Sequence, residues 1–212
     1  MKRSVRSKRI SVQRGFSLIE LLLSMAITLI IMAAAVAVFT AALSTRERES
    51  GRTDAITSAQ AALSVMSREI GNAGYGISSN GLVSAECVDP DFCAKKLRFR
   101  TNVSNQNGTT SDAGEDVTYF FDSASQSVVR FDQNVGVTSG IINRVSDVDF
   151  VYHQYAANGT STASIVPTIE TGRVTITLSV ILPDVQGQPT NRVEQVRSDV
   201  TLRNSPYMLG QY

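Results

Sequence analysis

An apolar, uncharged segment near the N-terminus constrains this chain more than any other feature. No residue from Leu21 to Leu43 is charged, and only three are not apolar: Ser24, Thr28 and Thr40. About 20 such residues suffice for a helix to cross a bilayer. As a helix, the longer apolar run from Phe16 to Leu43 measures ~42 Å, more than the ~30 Å hydrocarbon core. The segment therefore predicts a membrane-spanning helix that tilts or projects.

The charges on either side of this segment predict its orientation. Residues 1–15 hold six of the 20 basic residues and none of the 19 acidic ones, so the remainder has a formal charge of −5. Basic residues favour the cytoplasmic side of a membrane. We therefore expect a single pass through the inner membrane, with the N-terminus in the cytoplasm and the C-terminal domain in the periplasm. The mildly acidic body argues against direct binding of nucleic acid.

A helical stripe continues beyond the apolar segment. Apolar residues recur at steps of three and four: Ile56, Ala59, Leu63, Met66 and Ile70. This spacing predicts one long helix over 16–73 whose second half packs on a sheet; a coiled-coil partner surface is the alternative. Three glycines within Gly71–Gly76 predict its end, because glycine readily adopts the left-handed conformation of a C-cap.

From Lys95 onward the apolar period changes to two, which is typical of strands. In the clearest strand, Val174 to Leu182, apolar residues alternate with Arg173, Thr175, Thr177 and Ser179, which should face solvent. Further strands are predicted at Leu97–Phe99, Val117–Phe121, Val129–Phe131, Val148–Tyr152 and Val196–Leu202. The segments 102–115 and 156–164 are expected to be surface loops, and a long hairpin excursion is the alternative for the second. The fold class is thus α+β, with one long N-terminal helix packed on an antiparallel sheet.

The two cysteines, Cys87 and Cys93, are expected outside the membrane, where disulfides form. Closing the short loop between them is worth about 2 kcal/mol in the chain-entropy model. Zinc binding has little support without a third Cys or a His nearby. Asp89 and Asp91 in this loop offer oxygens for calcium, but two acids in a turn are usually only solvated.

The sequence offers little material for catalysis. It contains one histidine, His153, expected to point to solvent from a strand, and no tryptophan. Nucleophile-elbow and phosphate-binding patterns are missing from the sequence. We therefore expect no enzymatic activity, no cofactor and no metal; a secreted hydrolase would need a catalytic set that the sequence does not display.

The junction Arg-Gly-Phe-Ser-Leu-Ile-Glu at residues 14–20 is the most specific motif. It resembles the signal of type IV prepilins and type II secretion pseudopilins, in which a basic leader ends in glycine before an apolar run with an early carboxylate. The resemblance implies cleavage between Gly15 and Phe16 by a prepilin peptidase, which then N-methylates Phe16. The chain is thus expected to be the substrate of this enzyme.

Glu20 is hard to explain by local structure alone. A carboxylate in a membrane segment costs a few kcal/mol unless it is paired. Interaction with the helix dipole stabilises such a carboxylate by only ~0.3–1 kcal/mol. The amine of Phe16, in the same or a neighbouring chain, is the expected partner in assembly, because an α-amine is mostly cationic at neutral pH. A carboxylate stabilised only by the dipole is the alternative.

A conventional secretory signal is the competing interpretation of the N-terminus. Residues 1–15 would form its basic region, and Ala33–Ala35 or Ala35–Ala37 would supply the small-residue cleavage site. The apolar run is long for such a signal, and Glu20 is out of place in it.

The middle of the chain makes the resemblance to prepilins more specific. Residues 61–76, which end in Ala-Gly-Tyr-Gly, together with the order of the later strands, resemble PilW-like minor pilins and the related J-type minor pseudopilins. Major pilins usually carry a proline midway along the membrane helix, whereas no Pro or Gly occurs from Phe16 to Ser50. The resemblance therefore implies a minor subunit that initiates, caps or regulates a fibre and contacts other pilins through its N-terminal helix.

Four segments follow from these arguments: a cleaved leader at 1–15, a transmembrane and fibre-core helix at 16–45, its amphipathic continuation and cap at 46–76, and an extracytoplasmic sheet domain at 77–212. A membrane-tethered binding or adhesion module is the rival hypothesis. The sequence leaves open the choice between a pilus, a type II secretion system and a DNA-uptake system.

Overall fold

One α-helix, α1, runs from Leu18 to Ile70 in the computed structural model. Residues 15–85, 87, 90–185 and 189–210 are described, so most of the predicted leader lies outside them. Two units divide the chain, Met1–Arg46 and Glu47–Tyr212, and each is considered by itself.

In the first unit, every described residue up to Leu43 is exposed. The polar side chains within the apolar run bond to the helix itself: Ser24 Oγ donates to the Leu21 carbonyl at 2.9 Å, and Thr28 Oγ1 donates to the Ser24 carbonyl at 2.7 Å. Satisfying these donors internally removes most of the cost of placing hydroxyls in hydrocarbon. This helix is long and apolar enough to cross a membrane by length and composition.

In the second unit, α1 buries the predicted stripe. Its buried residues are Ala59, Ala62, Leu63, Met66 and Ile70, and Ile56 is half-buried. The helix ends at Ile70, three residues before the predicted position. Gly74 and Gly76 follow with φ of 79° and 70°. A side chain at Gly74 would lie 2.5 Å from the Ser79 carbonyl, so this turn requires glycine.

The first sheet contains four antiparallel strands in sequence order: β1 Lys96–Arg100, β2 Asp116–Asp122, β3 Ser127–Asp132 and β4 Val137–Asn143. Tyr119 on β2 lies opposite Leu97 and Arg130. A short helix, α2 Pro90–Lys95, leads directly into β1. The pairing of β3 with β4 is regular from Val137 to Gly140 and shifts at the next residue.

The second sheet has the strand order β6-β5-β7-β8, also antiparallel. Its strands are β5 Val145–Tyr155, β6 Ser161–Ser164, β7 Thr171–Ile181 and β8 Val193–Thr201, and a final short helix, α3, spans Pro206–Leu209. Ile176 at the centre of β7 lies opposite Phe150 on β5 and Ser198 on β8. One apolar cluster joins these strands to α1 and to the first sheet.

The predicted α+β fold, a long helix on antiparallel strands, is confirmed, but the single predicted sheet is wrong because the strands form two sheets. Arg144 separates β4 from β5 with a φ of 58°. The segment 156–164 contains β6, which pairs antiparallel with β5, so it forms the hairpin that was the alternative to a loop. Thr175 was predicted to face solvent, yet it is only 3% exposed because neighbouring polar side chains cover it.

Polar contacts fix α1 to the first sheet. Glu69 near the end of α1 accepts a hydrogen bond from the Tyr119 hydroxyl at 2.8 Å and another from Arg130 Nε at 2.9 Å. Burial raises the pKa of the Tyr119 hydroxyl, and the Glu69 carboxylate adds to the effect. The hydroxyl therefore remains a donor at neutral pH. Because both partners lie on adjacent strands, this carboxylate sets how the helix end sits on the sheet.

A disulfide joins Cys87 to Cys93, with Cα atoms 5.4 Å apart, as the sequence predicts. Cys93 on α2 is 2% exposed. The disulfide thus ties the segment before α2 to the body of the second unit.

Mass measurement of the alkylated protein before and after reduction should reveal two thiols only after reduction. Replacing both cysteines with serine should lower the free energy of unfolding by about 2 kcal/mol without abolishing the fold, because the second unit keeps its apolar core. Two free thiols in freshly exported protein would contradict the pairing.

Candidate processing and assembly site

The residues around the expected cleavage position precede the helix. Gly15, Phe16 and Ser17 are not helical, and α1 begins only at Leu18. Phe16 is 88% exposed. The Gly15–Phe16 bond therefore lies outside the hydrogen-bonded turns of α1. A Cβ added at Gly15 would meet no described atom within 4 Å.

Glu20 reaches back toward this junction. It is the third residue of α1, and its Oε2 accepts a hydrogen bond from the Ser17 backbone N–H at 3.1 Å. Ser-x-x-Glu is the capping-box spacing, in which the glutamate satisfies a backbone donor at the helix start. The carboxylate therefore lies one residue from the nitrogen that cleavage after Gly15 would release as an amine.

This position has two physical explanations. As a cap, Glu20 satisfies one backbone donor and interacts favourably with the positive end of the helix dipole. As an ion-pair partner, its carboxylate would pair with the Phe16 amine that cleavage after Gly15 would release. Both roles place the side chain close to the junction. Capping needs only a side-chain oxygen that accepts the hydrogen bond, whereas the ion pair needs the negative charge of a carboxylate.

The first unit presents an apolar surface without a protein partner in the described chain. Large apolar side chains from Leu18 to Phe39 are 49–83% exposed. Monomeric soluble proteins rarely expose contiguous patches of more than a few hundred Å². This surface fits a membrane-anchoring helix.

The other sequence candidates do not join this site. His153 lies on β5 with Nε2 2.9 Å from Thr175 Oγ1, and Thr175 donates to Asp199 Oδ1 at 2.5 Å. The prediction that His153 points to solvent is wrong, since its side chain is half-buried. Partial burial and the Arg173 guanidinium lower the pKa of its imidazole. These contacts organise the polar outer face of the second sheet.

Metal binding gains no support in the described part of the chain, where no group of three His, Cys, Asp or Glu side chains could hold an ion. Asp89 lies outside the described residues, as does the side chain of Asp91. The hypothesis that these two residues bind calcium therefore remains a prediction from the sequence.

Two contacts were not predicted from the sequence. The Ser17–Glu20 bond has a sequence signal, the capping-box spacing Ser-x-x-Glu. The Glu69 contacts have no sequence signal, because Tyr119 and Arg130 lie 50 and 61 residues beyond Glu69 in the chain.

A family model described as the prokaryotic N-terminal methylation motif matches residues 10–36. The matched segment contains the Gly15–Phe16 junction, Glu20 and the first part of α1. It supports a type IV pilin-like prepilin, a structural class whose members are anchored by an N-terminal apolar helix. No curated protein and no solved structure matches the chain significantly.

Proposed function

We propose that this protein is a minor pilin of a type IV pilus that helps to initiate, cap or regulate fibre assembly. Prepilin peptidase cuts it after Gly15 and methylates Phe16, and the freed helix then packs among the helices of other pilins. The proposal is supported by the Gly15–Phe16 junction, which precedes an apolar helical segment that is exposed up to Leu43, and by Glu20, which folds back toward the junction.

Before assembly, the bilayer covers the apolar surface of the first unit. Residues 18–43 span ~39 Å as a helix, enough to cross the hydrocarbon core. The second unit, from Glu47, is held in the periplasm, where the Cys87–Cys93 disulfide is stable. In a fibre, neighbouring apolar helices replace the lipid around the same surface.

The proposed role as a minor subunit rests on the unbroken helix and on the resemblance to PilW-like minor pilins. From Leu18 to Ile70 the helix is unbroken, and it contains no proline. Bulk subunits of long fibres usually carry a proline there. The PilW-like order of elements after residue 61 favours the same role.

A minor pseudopilin of a type II secretion or DNA-uptake system is the second candidate, because the same junction and helix serve that class. A membrane-tethered binding or adhesion module is a third, which would use the helix only as an anchor and would require no cleavage.

The mature N-terminus tests the proposal directly. In cells that contain the peptidase, the intact mass should correspond to residues 16–212 plus one methyl group and minus the two hydrogens lost in the disulfide, and N-terminal sequencing should begin at methylated Phe16. Cells that lack the peptidase provide the control and should yield the full-length chain.

Two results would contradict the proposal. A retained leader in peptidase-containing cells would favour the tether, and a new N-terminus after Ala35 or Ala37 would favour a conventional secretory signal.

A further inference from the structure

The chain contains three Asn-Gly pairs, which begin at Asn80, Asn107 and Asn158. Such a pair can modify itself, because the glycine backbone nitrogen can attack the asparagine side-chain carbon, and glycine has no Cβ to hinder the approach. The reaction needs an asparagine that is accessible to water, a side-chain amide that can rotate, and a glycine nitrogen that is free to lose its proton. The structure meets these conditions to different degrees at the three positions.

The fold protects Asn80 against this reaction. Asn80 is 2% exposed, and its Nδ2 donates to the Thr168 carbonyl at 2.7 Å. The following Gly81 N–H donates to Ser79 Oγ at 3.3 Å. A Cβ at Gly81 would lie 2.2 Å from the Gly74 nitrogen, so the backbone here is too closely packed to rotate. Attack at Asn80 therefore requires unfolding of this segment.

Asn107 and Asn158 are both exposed and form the same local turn. Asn107 Oδ1 accepts hydrogen bonds from the Thr109 backbone N–H at 2.8 Å and from Thr109 Oγ1 at 2.7 Å. Asn158 Oδ1 accepts the equivalent bonds from Thr160 at 3.0 and 2.7 Å. Donors at this oxygen stabilise the negative charge that it gains when the adjacent carbon is attacked. The side-chain carbon is therefore activated in the same way at both positions.

The two glycine nitrogens differ in their hydrogen bonds. The Gly159 N–H donates to the Ala156 carbonyl at 2.9 Å, in the turn that joins the paired strands β5 and β6. The Gly108 N–H donates to no acceptor in the described part of the chain, and a Cβ at Gly108 would meet nothing within 4 Å. Because the bond at Gly159 must break before attack, we expect Asn107 to react about fivefold faster than Asn158.

One hydrogen bond holds the side-chain amide of Asn107. Its Nδ2 donates to Asp112 Oδ2 at 3.1 Å, and the same oxygen accepts a shorter bond of 2.8 Å from Asn105 Nδ2. Both bonds are exposed, so water competes for the same groups. Rotation of a single side chain breaks the bond to Asp112, whereas freeing the Gly159 nitrogen distorts a turn that is held at both ends by strands. The bond to Asp112 therefore protects Asn107 less than the turn protects Asn158.

We propose that Asn107 is a site of spontaneous deamidation in the folded protein. The Gly108 nitrogen attacks Cγ of Asn107 and forms a C–N bond that closes a succinimide ring. The Cγ–Nδ2 bond breaks, and the side-chain nitrogen leaves as ammonia with the proton that the Gly108 nitrogen gives up. Water then opens the ring at either carbonyl, which yields aspartate or isoaspartate at position 107.

The product changes the charge of the loop between β1 and β2. Asn107 donates to Asp112, whereas a carboxylate at position 107 would face the Asp112 carboxylate with a like charge. Deamidation should therefore loosen residues 105–112.

Peptide mapping by mass spectrometry tests the proposal on the full-length protein in detergent, incubated at mildly alkaline pH to promote loss of the glycine proton. Exchange of an amide for a carboxyl group raises the peptide mass, and an isoaspartyl methyltransferase labels the isoaspartate product. We expect modification first at Asn107, about fivefold more slowly at Asn158, and not at Asn80. In denaturant the three pairs should react at similar rates, because the protection by the fold is lost.

Two variants of Asn107 extend the test. Asn107→Gln should abolish modification at this position and leave the rate at Asn158 unchanged, because glutamine would have to close a larger ring. Asn107→Asp carries the charge of the product and should speed amide hydrogen exchange within residues 105–112. Asn158→Asp is the matched control, since its side-chain oxygen still accepts the bonds from Thr160, and exchange within residues 156–160 should not change.

Several results would overturn the proposal. One is a rate at Asn158 equal to or above that at Asn107 in the folded protein. Another is an unmodified Asn107 after a period in which the denatured protein is fully modified. A difference between Asn107 and Asn158 that persists in denaturant would show that the local sequence, not the fold, sets the rates. Unchanged exchange in Asn107→Asp would overturn the expected effect on the loop. None of these results depends on cleavage at Gly15.

Discussion

Gly15→Leu is expected to leave the full-length chain in the inner membrane, unprocessed and excluded from fibres. Leucine fills the narrow cleft that a glycine passes, and it favours extension of α1 back through the scissile bond. The protein itself has room for the side chain, because a Cβ at Gly15 meets no described atom within 4 Å. The defect should therefore lie in recognition by the peptidase and not in folding.

Immunoblots of membrane and sheared-fibre fractions measure this effect, with the full-length and cleaved forms separated by size. Gly15→Ala is the matched control, since its small side chain should retain measurable cleavage. Normal processing of Gly15→Leu would show that the junction is not a prepilin site. A tethered module would show no difference between the variants, because it requires no cut.

Substitution of Glu20 should separate cleavage of the junction from assembly into fibres. Glu20→Ala should still be cleaved, because the bond lies outside the helix and four residues away, but it should be incorporated into fibres at least about tenfold less. The Phe16 amine would have lost its carboxylate in a low-dielectric environment, where an unpaired charge costs several kcal/mol.

Glu20→Gln decides between the roles. Glutamine can still accept the hydrogen bond from the Ser17 N–H and cap α1, but it has no charge. If Glu20 only caps the helix, Glu20→Gln should assemble normally. If it pairs with the amine, Glu20→Gln should fail as Glu20→Ala does. Normal fibre content in both variants would remove any assembly role.

Periodic, local features of this fold could be predicted from sequence. The buried face of α1 follows from the spacing of Leu63, Met66 and Ile70, and β7 follows from strict alternation after Val174. The motif at residues 14–20 is also local, since each of its parts lies within two helical turns. These signals depend on neighbours along the chain and need no knowledge of tertiary contacts.

What was missed depends on contacts between distant segments. Strand β4 has adjacent isoleucines at an irregular position and a glycine, so it shows no alternation, and it exists because β3 pairs with it. The four polar residues of β6 form a strand only against β5. The division into two sheets falls at Arg144, whose left-handed backbone is uncommon for a residue of this type and has no signal in the sequence.

The inward position of Arg130 on β3 could not be predicted from sequence. Arg130 lies opposite Tyr119, which places Phe131 on the other side of the sheet. Arg130 reaches Glu69 of α1. A basic residue in a strand reads as solvent-facing from sequence, and only its distant carboxylate partner makes the inward position favourable.

Ile176→Asp should abolish the folded state of the second unit, whereas Thr177→Asp, one residue along β7, should not. Ile176 is fully buried between Phe150 and Ser198, where a carboxylate finds no cationic partner opposite it. An unpaired buried carboxylate costs several kcal/mol, against a total stability near 5–15 kcal/mol. Thr177 lies on the outer face between Asp149 and Arg197, whose charges offset each other around an introduced aspartate.

Thr177 is the matched control for this experiment. Thr175, which the alternation also places on the outer face, is unsuitable because it is 3% exposed and hydrogen-bonded to Asp199. Near-ultraviolet circular dichroism of the full-length protein in detergent, read at the tyrosine wavelengths, reports on the buried rings of Tyr119 and Tyr152, because α1 contains no tyrosine. Ile176→Asp should lack this signal at all temperatures, and Thr177→Asp should keep it with a Tm within about 4 °C of the original. Similar unfolding curves for both variants would show that β7 does not present Ile176 to the core, and the packing of α1 on the second sheet would then need another explanation.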